Sequence, residues 1–256
     1  MNHLTESYNS ATQKIINYVN CPYQVFTCKN TVGDVMDSYR EAVKRGKEQG
    51  FTPLLVVSGD TLAETLEFSV KDSYSKEKVI NQPKKDIEKM LREQYQEAVK
   101  DFPELDVKEV QQTWNGEIGE ELEEFGEEVT EFSSCYSYKD DGIVETILFE
   151  IPVKNPWEVI AWVPMGGWNE CPAADDMMEV CRHWYTNYGA IPAMISSDTL
   201  EFMLEKPVSD LGTARKLAGE HFAFCNDRVY QGTETGTIDE LAYCISKSTV
   251  WFFWWD

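Results

Sequence analysis

The sequence has 256 residues, 42% of them apolar, which is enough for one large domain or two small ones with a hydrophobic core. Its formal net charge is −22 and no Lys- or Arg-rich stripe offsets it, so we expect no binding to nucleic acid. It contains no run of eighteen apolar residues and no apolar signal core at the N-terminus, so we expect neither a membrane-spanning helix nor a secretory leader. The seven cysteines are scattered and odd in number, which favours reduced thiols in a cytoplasmic protein over a disulfide framework.

The first part of the chain, residues 1–103, predicts an N-terminal α/β region. Gly50 fits the end of a helix, and the apolar run TPLLVV that follows it is typical of a buried parallel strand. The predicted elements in chain order are a helix over 10–19, a strand over 23–28, a helix over 33–48, a strand over 52–57 and an amphipathic helix over 82–102.

An acidic connector is predicted next, over residues 104–143. Residues 101–131 hold twelve acidic residues and one lysine. The segment 117–131 is interpreted as a solvated helix face or mobile connector, and the alternative is a surface for a basic partner protein. The sequence does not decide between these roles.

The remaining residues, 144–256, predict a C-terminal α/β domain that ends in a Trp-rich strand. Its predicted elements are strands over 145–153, 157–163, 191–196 and 200–205, helices over 173–188, 210–225 and 237–248, and a final strand over 249–255. The final strand has aromatic residues on both faces, which predicts an interior strand covered on both sides.

One stretch of this domain repeats an earlier one. GAIPAMISSDTLEF, residues 189–202, echoes GFTPLLVVSGDTLAETLEF, residues 50–68, and placing Pro53 on Pro192 also aligns Gly50 with Gly189. In each case a predicted strand and helix come before the glycine. The echo therefore predicts an α/β fold with two similar β-α-β units, in a mixed, mostly parallel sheet flanked by helices.

Sites for metals, nucleophiles and phosphates are weakly indicated. His221 and Cys225 have a ligand spacing on a helix, but they share its apolar face with core residues, so a metal is not predicted. Cys171 precedes a helix, with His183 and His221 as candidate bases, but a structural loop cysteine is the preferred interpretation. No phosphate-binding glycine motif is present, so no cofactor is predicted.

Polar and Trp residues near predicted element ends form the candidate binding site. Asp60 and Asp198 each follow a strand end, where ligands usually sit in parallel sheets, but an ordinary helix-cap or turn role is the preferred interpretation of both. Trp faces beside amides and carboxylates suit a small ligand or peptide, and the alternative is that these Trp residues are core and the polar groups are caps. The predicted binding residues are Trp168, Asn169, Glu170, Asp198, Asp227, Gln231, Trp254 and Asp256.

The segments GGWNECP, HWYTNYGAIPAMISSDTLEF, LAGEHFAFCNDRVYQG, TIDELA and WFFWWD resemble an uncharacterised bacterial family, domain of unknown function 4253. The resemblance covers about residues 150–256 and carries no established reaction or functional residue. It implies a bacterial cytosolic setting, and by analogy alone a role in a toxin–immunity system.

Two functional hypotheses follow from the sequence. The first is that the chain is a cytosolic binding or interaction protein with a basic protein as its partner. One version of this hypothesis is an immunity-type protein. The alternative is an enzyme acting on a small polar substrate in a Trp-lined pocket. Whether the protein is an enzyme, and its oligomeric state, stay open at this point.

Overall fold

The computed structural model describes residues 8–101, 112, 114–115, 126–137 and 142–256. The strands are β1 (Tyr23–Phe26), β2 (Thr52–Val57), β3 (Tyr136–Ser137), β4 (Gly142–Ile143), β5 (Thr146–Ile151), β6 (Ile191–Ile195), β7 (Thr199–Met203) and β8 (Val250–Trp254). The helices are α1 (Ser10–Val19), α2 (Val32–Gln49), α3 (Asp60–Lys71), α4 (Lys76–Ile80), α5 (Ile87–Asp101), α6 (Ala174–Tyr188), α7 (Leu211–Phe224), α8 (Asp227–Tyr230) and α9 (Ile238–Lys247), with a 3-10 helix over Pro156–Ala161.

Six of the strands form one mixed sheet in the order β1-β5-β2-β6-β7-β8, flanked by helices. Among the described strands, β2 and β6 are parallel, whereas the other neighbours in this sheet are antiparallel. The prediction of a mostly parallel sheet is therefore wrong. One reason is that β5 inserts between β1 and β2 and runs against both of them, a non-local pairing that the apolar runs do not encode. The other is that β7 turns back directly after β6 and β8 turns back against β7.

The echo in the sequence corresponds to the centre of the sheet. β2 pairs with β6 so that Leu55 faces Met194 and Val56 faces Ile195, which is the register given by aligning Pro53 with Pro192. The helices before these strands, α2 and α6, each end at a glycine with a left-handed backbone. They pack on opposite faces of the sheet, so the repeated unit is a helix, a capping glycine and a strand.

The second predicted β-α-β unit does not form, because residues 157–163 are not a strand. They lie in and directly after the 3-10 helix, which has Pro156 in its first turn. Proline fixes a helical φ and lacks the N–H that a sheet would need, so it favours helix initiation. Val159 and Ile160 belong to this helix, and they are buried in the larger core without being part of a strand.

The helices cover the two faces of the sheet unequally. One face packs against α1, α3, α5, α6, α7, α9 and the 3-10 helix, and it carries the larger hydrophobic core. The other face packs against α2 and against Phe132, Cys135 and Ile143. Glu201 of β7 is fully buried on this second face, where its carboxylate accepts the backbone N–H groups of Ser133 and Ser134.

The Trp-rich strand β8 lies at the edge of the sheet. The prediction of an interior strand is therefore wrong. Trp251 and Phe253 are buried against the larger core, and Trp255, just past the strand, is buried with them, whereas Phe252 and Trp254 on the other face are half-buried. The two-sided aromatic pattern thus reflects one dry face and one partly covered face.

Strands from both ends of the sequence share this sheet, since β1 and β2 precede the acidic connector and β5 to β8 follow it. The division into three regions stays a prediction. Most of the connector, including residues 117–125 of the acidic segment, lies outside the described residues, and residues 126–131 are exposed. None of the described helices combines the length and apolar character needed to cross a bilayer.

Candidate functional site

The GGWNECP loop connects the 3-10 helix to α6 through a tight turn. Gly166, Gly167 and Asn169 have positive φ angles of 82°, 76° and 44°. The N–H of Gly167 donates to the carbonyl oxygens of Cys171 and Pro172, at 3.0 and 3.2 Å. A Cβ on Gly166 would lie 2.1 Å from the Pro172 oxygen, so this position requires glycine.

The loop meets two other segments that the sequence singled out. The side-chain amide of Asn169 donates to the backbone oxygen of Asp256 at 3.0 Å, and the amide of Asn226 donates to a Glu170 carboxylate oxygen at 2.8 Å. The loop, the α7–α8 junction and the C-terminus are therefore held together. The contacts that hold them occupy the polar groups of Asn169 and Glu170, two of the predicted binding residues.

Asp198 lies at the same junction and has a turn role. Its Oδ1 accepts the Ser196 hydroxyl at 2.7 Å, and its backbone oxygen accepts the N–H of Trp255 at 3.1 Å. The Cys225 thiol donates to the backbone oxygen of Trp254 at 3.0 Å. These bonds fix the end of β8 against α7, in agreement with the turn role that the sequence favours for Asp198.

Asp227, Gln231 and Trp254 line a shallow depression with a volume of about 50 Å³. Gln231 Nε2 donates to Asp227 Oδ1 at 2.8 Å, so these two polar side chains bind each other. A space of this size holds one or two water molecules and not a metabolite. The structure thus brings these three residues together around a space too small for a metabolite, whereas Gln231 also lines a larger cleft of about 470 Å³, and the Trp-lined substrate pocket stays a prediction.

Trp168 faces a different and much larger space. A groove of about 840 Å³ runs between α3, α4, the GGWNECP loop and the start of α6. Phe68 of α3 lines it with 57% of its surface exposed, although most large apolar side chains of the described chain are buried. The groove is wide and open, which suits a protruding segment of another molecule better than an enclosed substrate.

The floor and rim of this groove are rigidly held. The Tyr74 hydroxyl donates to the backbone oxygen of Ala161 at 3.0 Å, and burial raises the pKa of Tyr74 above its ordinary value, so the phenol stays neutral. Gln82 donates to the backbone oxygen of Asp175 at 2.8 Å, and Lys85 forms ion pairs with Asp175 and Asp176. These contacts join α4 and the segment after it to the first turn of α6.

Sequence reasoning missed the α3–α4 wall of the groove. The residues concerned include Phe68, Tyr74, Lys78 and Val79, which lie about a hundred residues before the GGWNECP loop. One signal was present: α3 buries Leu62, Ala63 and Leu66, which leaves Phe68 off the core-facing stripe. Val70 shares this position off the stripe and does not line the groove, so the pattern alone did not identify the site.

The cysteine and histidine chemistry considered from the sequence is disfavoured by burial. Burial raises the pKa of Cys171 to about 12 and that of Cys225 to about 12, whereas a nucleophilic cysteine needs a lowered pKa. His221 is fully buried and burial lowers its pKa well below the ordinary value. The part of the chain that the structure describes contains no group of three or more His, Cys, Asp or Glu residues arranged to hold a metal ion.

Residues 147–256 match the family model described as "Domain of unknown function (DUF4253)". The matched part starts in β5 and includes the GGWNECP loop, α6 to α9 and β6 to β8. The α3–α4 wall of the groove lies outside it. Neither a search of curated proteins nor a search of solved structures finds a match to this chain.

Proposed function

We propose that the protein is a binding protein that holds a segment of a basic partner protein in the groove between α3, α4 and the GGWNECP loop. The observation that carries the proposal is the exposed Phe68 ring in a groove of about 840 Å³ that Trp168 also lines. Exposed aromatic side chains beside a concave apolar surface are typical of protein-binding sites.

The charge of the molecule supports a basic partner. A net charge of −22 generates a negative field that attracts cations over distances of the order of the Debye length, about 10 Å at 0.1 M salt. Such a field increases the rate at which a basic protein encounters the molecule, while the apolar contacts with Phe68 and Trp168 determine how long it stays bound. In an immunity-type role, the bound basic partner would be a toxin, and binding alone would inhibit it without any reaction.

Binding is preferred to catalysis because the polar residues of the predicted site are used to hold the fold. Asn169, Glu170, Asp198 and Gln231 all have hydrogen-bonded partners within the described chain. The thiol of Cys171 is protonated at neutral pH, since burial raises its pKa. The enzyme hypothesis would therefore require these four polar side chains to leave their structural contacts.

We expect this function in the cytosol. All seven cysteines are free thiols, and four of them are buried. Free thiols are typical of proteins in a reducing compartment, whereas secreted proteins commonly pair their cysteines in disulfides. This expectation rests on the thiols and not on any targeting signal.

Affinity capture with matched variants tests the proposal. Wild type, Phe68→Ser and Val70→Ser are used as baits in an extract of the source cells; Val70 is 65% exposed on the same helix but does not line the groove. We expect a basic protein to bind wild type and Val70→Ser, to be lost with Phe68→Ser, and to bind more weakly as salt increases from about 50 to about 200 mM. If all three baits retain the same proteins, or none retains any, the groove is not a partner site.

A further inference from the structure

Arg228 in α8 is a partly exposed residue whose Nε is buried without a hydrogen-bond partner. Within the described chain its guanidinium forms no ion pair, and its ring contact is with Phe253, whose centroid is 5.5 Å from Cζ. Arg215, which is more deeply buried, differs from it because its Nε lies 2.7 Å from a carboxylate oxygen of Asp239. Arg228 is thus a cation with a buried Nε and without a paired anion in the part of the chain that the structure describes.

The backbone around Arg228 holds the side chain in this place. Its N–H donates to the Cys225 oxygen at 3.1 Å. A Cβ on Gly232 would lie 2.7 Å from the Arg228 oxygen, so the turn after α8 closes tightly against it. Burial lowers the pKa of Arg228 from its ordinary value, while the nearby Cys225 and Cys244 act in the opposite direction. The guanidinium remains charged, since arginine is effectively always protonated in proteins.

The side chain lines a cleft of about 470 Å³ between residues 126–129, α9 and the outer edge of β8, where Val250 donates its N–H to the Val129 oxygen. Phe252 and Leu241 provide apolar walls, and Trp251 lines the cleft and has a buried indole Nε1 without a partner. In the β7–β8 ladder, Trp255 donates to Asp198 and Leu204 donates to Thr249. The N–H of Phe252 therefore points away from β7, on the cleft side of the strand.

The acidic groups of the cleft do not neutralise Arg228. Glu240 uses its carboxylate to accept the N–H groups of Glu234 and Thr235, at 2.8 and 2.7 Å, and the Thr235 hydroxyl. Glu127 and Glu234 also line the cleft and are exposed. This negative surrounding repels a dianion such as phosphate more strongly than a monoanion, while a carboxylate matches the fork of a guanidinium.

We propose that this cleft binds a small organic monocarboxylate, with its carboxylate on Arg228 and its apolar part against Phe252 and Leu241. The site is separate from the α3–α4 groove, so it stands or falls independently of the proposed protein-binding function. The bound carboxylate would supply the counter-ion that Arg228 lacks in the described part of the chain.

Titration of the ¹⁵N-labelled full chain with butyrate tests this site, with the Arg228 Nε–H signal as the readout and butyramide as the uncharged matched ligand. We expect a saturable shift with butyrate, with a Kd on the order of 1 mM, the range of ligands with so few atoms, and no such shift with butyramide. Arg228→Gln should weaken butyrate binding at least about tenfold, followed on the backbone signal of Phe252. Arg228→Lys should weaken it less, because lysine keeps the charge but not the fork. The exposed Arg40 in α2 provides the control, Arg40→Gln, which should bind as wild type does.

Three results would overturn the assignment: equal responses of wild type to butyrate and butyramide, unchanged butyrate binding by Arg228→Gln, or a larger response to phosphate than to butyrate at equal concentration. If Arg228→Gln fails to fold, as judged by near-UV circular dichroism, the comparison of the two ligands on wild type and on Arg228→Lys decides the question.

Discussion

His221 is enclosed by aromatic rings, with centroids 4.8 Å from Trp184, 4.7 Å from Trp251 and 4.7 Å from Phe253. Both of its ring nitrogens are buried without a hydrogen-bond partner. Burial, and to a lesser degree the charge of Arg228, lowers its pKa well below the ordinary value, so the folded protein holds a neutral imidazole. The residue therefore serves packing and makes the fold sensitive to acid.

The sign of that sensitivity follows from proton binding. Below a pH of about 6.5 the unfolded chain protonates this histidine while the folded chain does not, so stability decreases as the pH falls. Between about pH 7.5 and about pH 5.5 the free energy of unfolding should decrease by on the order of 1 kcal/mol because of this group alone. Urea denaturation of wild type and His221→Leu at both pH values measures it. The variant should lack this part of the decrease, and an identical pH dependence of both proteins would contradict the prediction.

At the scale of single elements, the two helices of the echo depend on the same backbone feature. Gly50 and Gly189 have φ angles of 81° and 74°, and their N–H groups cap α2 and α6. An L-residue in this region costs about 1–2 kcal/mol, so Gly50→Ala and Gly189→Ala should each lower the free energy of unfolding by about that amount. Gly33 lies in α2 with ordinary φ and room for a methyl group, so Gly33→Ala should be neutral or stabilise by up to about 1 kcal/mol. Equal effects of all three changes in denaturant melts would refute this explanation of the echo.

These same elements show what sequence patterns do and do not encode. The ends of α2 and α6 were predictable because a capping glycine and an apolar stripe are local signals. The 3-10 helix over Pro156–Ala161 was predicted as part of a strand, because a short apolar run fits either structure. The insertion of β5 between β1 and β2 depends on pairing between residues far apart in the chain, which no local pattern specifies.

The candidate site shows the same limit. The GGWNECP segment supplies three of the binding residues predicted from the sequence, and its contacts with the α7–α8 junction and the C-terminus are present. The role of its polar groups was not predictable, since Asn and Glu occur both in ligand-binding sites and in structural turns, and the sequence at positions 169 and 170 does not distinguish the two. Phe68 became a candidate only when folding brought α3 next to Trp168.

The edge strand β8 is the element whose removal should matter most. Trp251 and Phe253 in the strand and Trp255 after it are buried, and fully burying each large apolar side chain contributes about 1.5–3 kcal/mol. Together they approach the whole stability of a typical domain, about 5–15 kcal/mol, so deletion of residues 251–256 should abolish cooperative unfolding. Asp256→Asn is the control, because this exposed residue uses its backbone oxygen, and not its carboxylate, to accept Asn169. A truncated protein with a cooperative melt and native near-UV circular dichroism would contradict this role.

At the scale of the whole molecule, the six-stranded sheet contains strands from inside and from outside the region that matches the family model. Residues 147–256 supply β6, β7, β8 and nearly all of β5, but β5 has β1 and β2 as its two neighbours, and both come from the N-terminal part. In addition, β6 uses β2 as its parallel partner. Removing residues 1–103 would therefore detach β5 and uncover one edge of β6 in the middle of the sheet.

We accordingly expect a fragment of residues 144–256 not to fold cooperatively by itself. Its β6 would expose the unpaired N–H and C=O groups of a central strand whose residues, such as Met194 and Ile195, are fully buried in the whole protein, and such edges favour aggregation. A separately expressed fragment of residues 1–143 should restore a cooperative melt when the two are mixed, because it returns β1 and β2 to their places beside β5 and β6 and supplies the N–H groups of Ser133 and Ser134 to Glu201. Thermal melts followed by near-UV circular dichroism measure both effects. A cooperative, native-like melt of residues 144–256 alone would show instead that this part is an independent domain, and that the shared sheet joins two units each stable without the other.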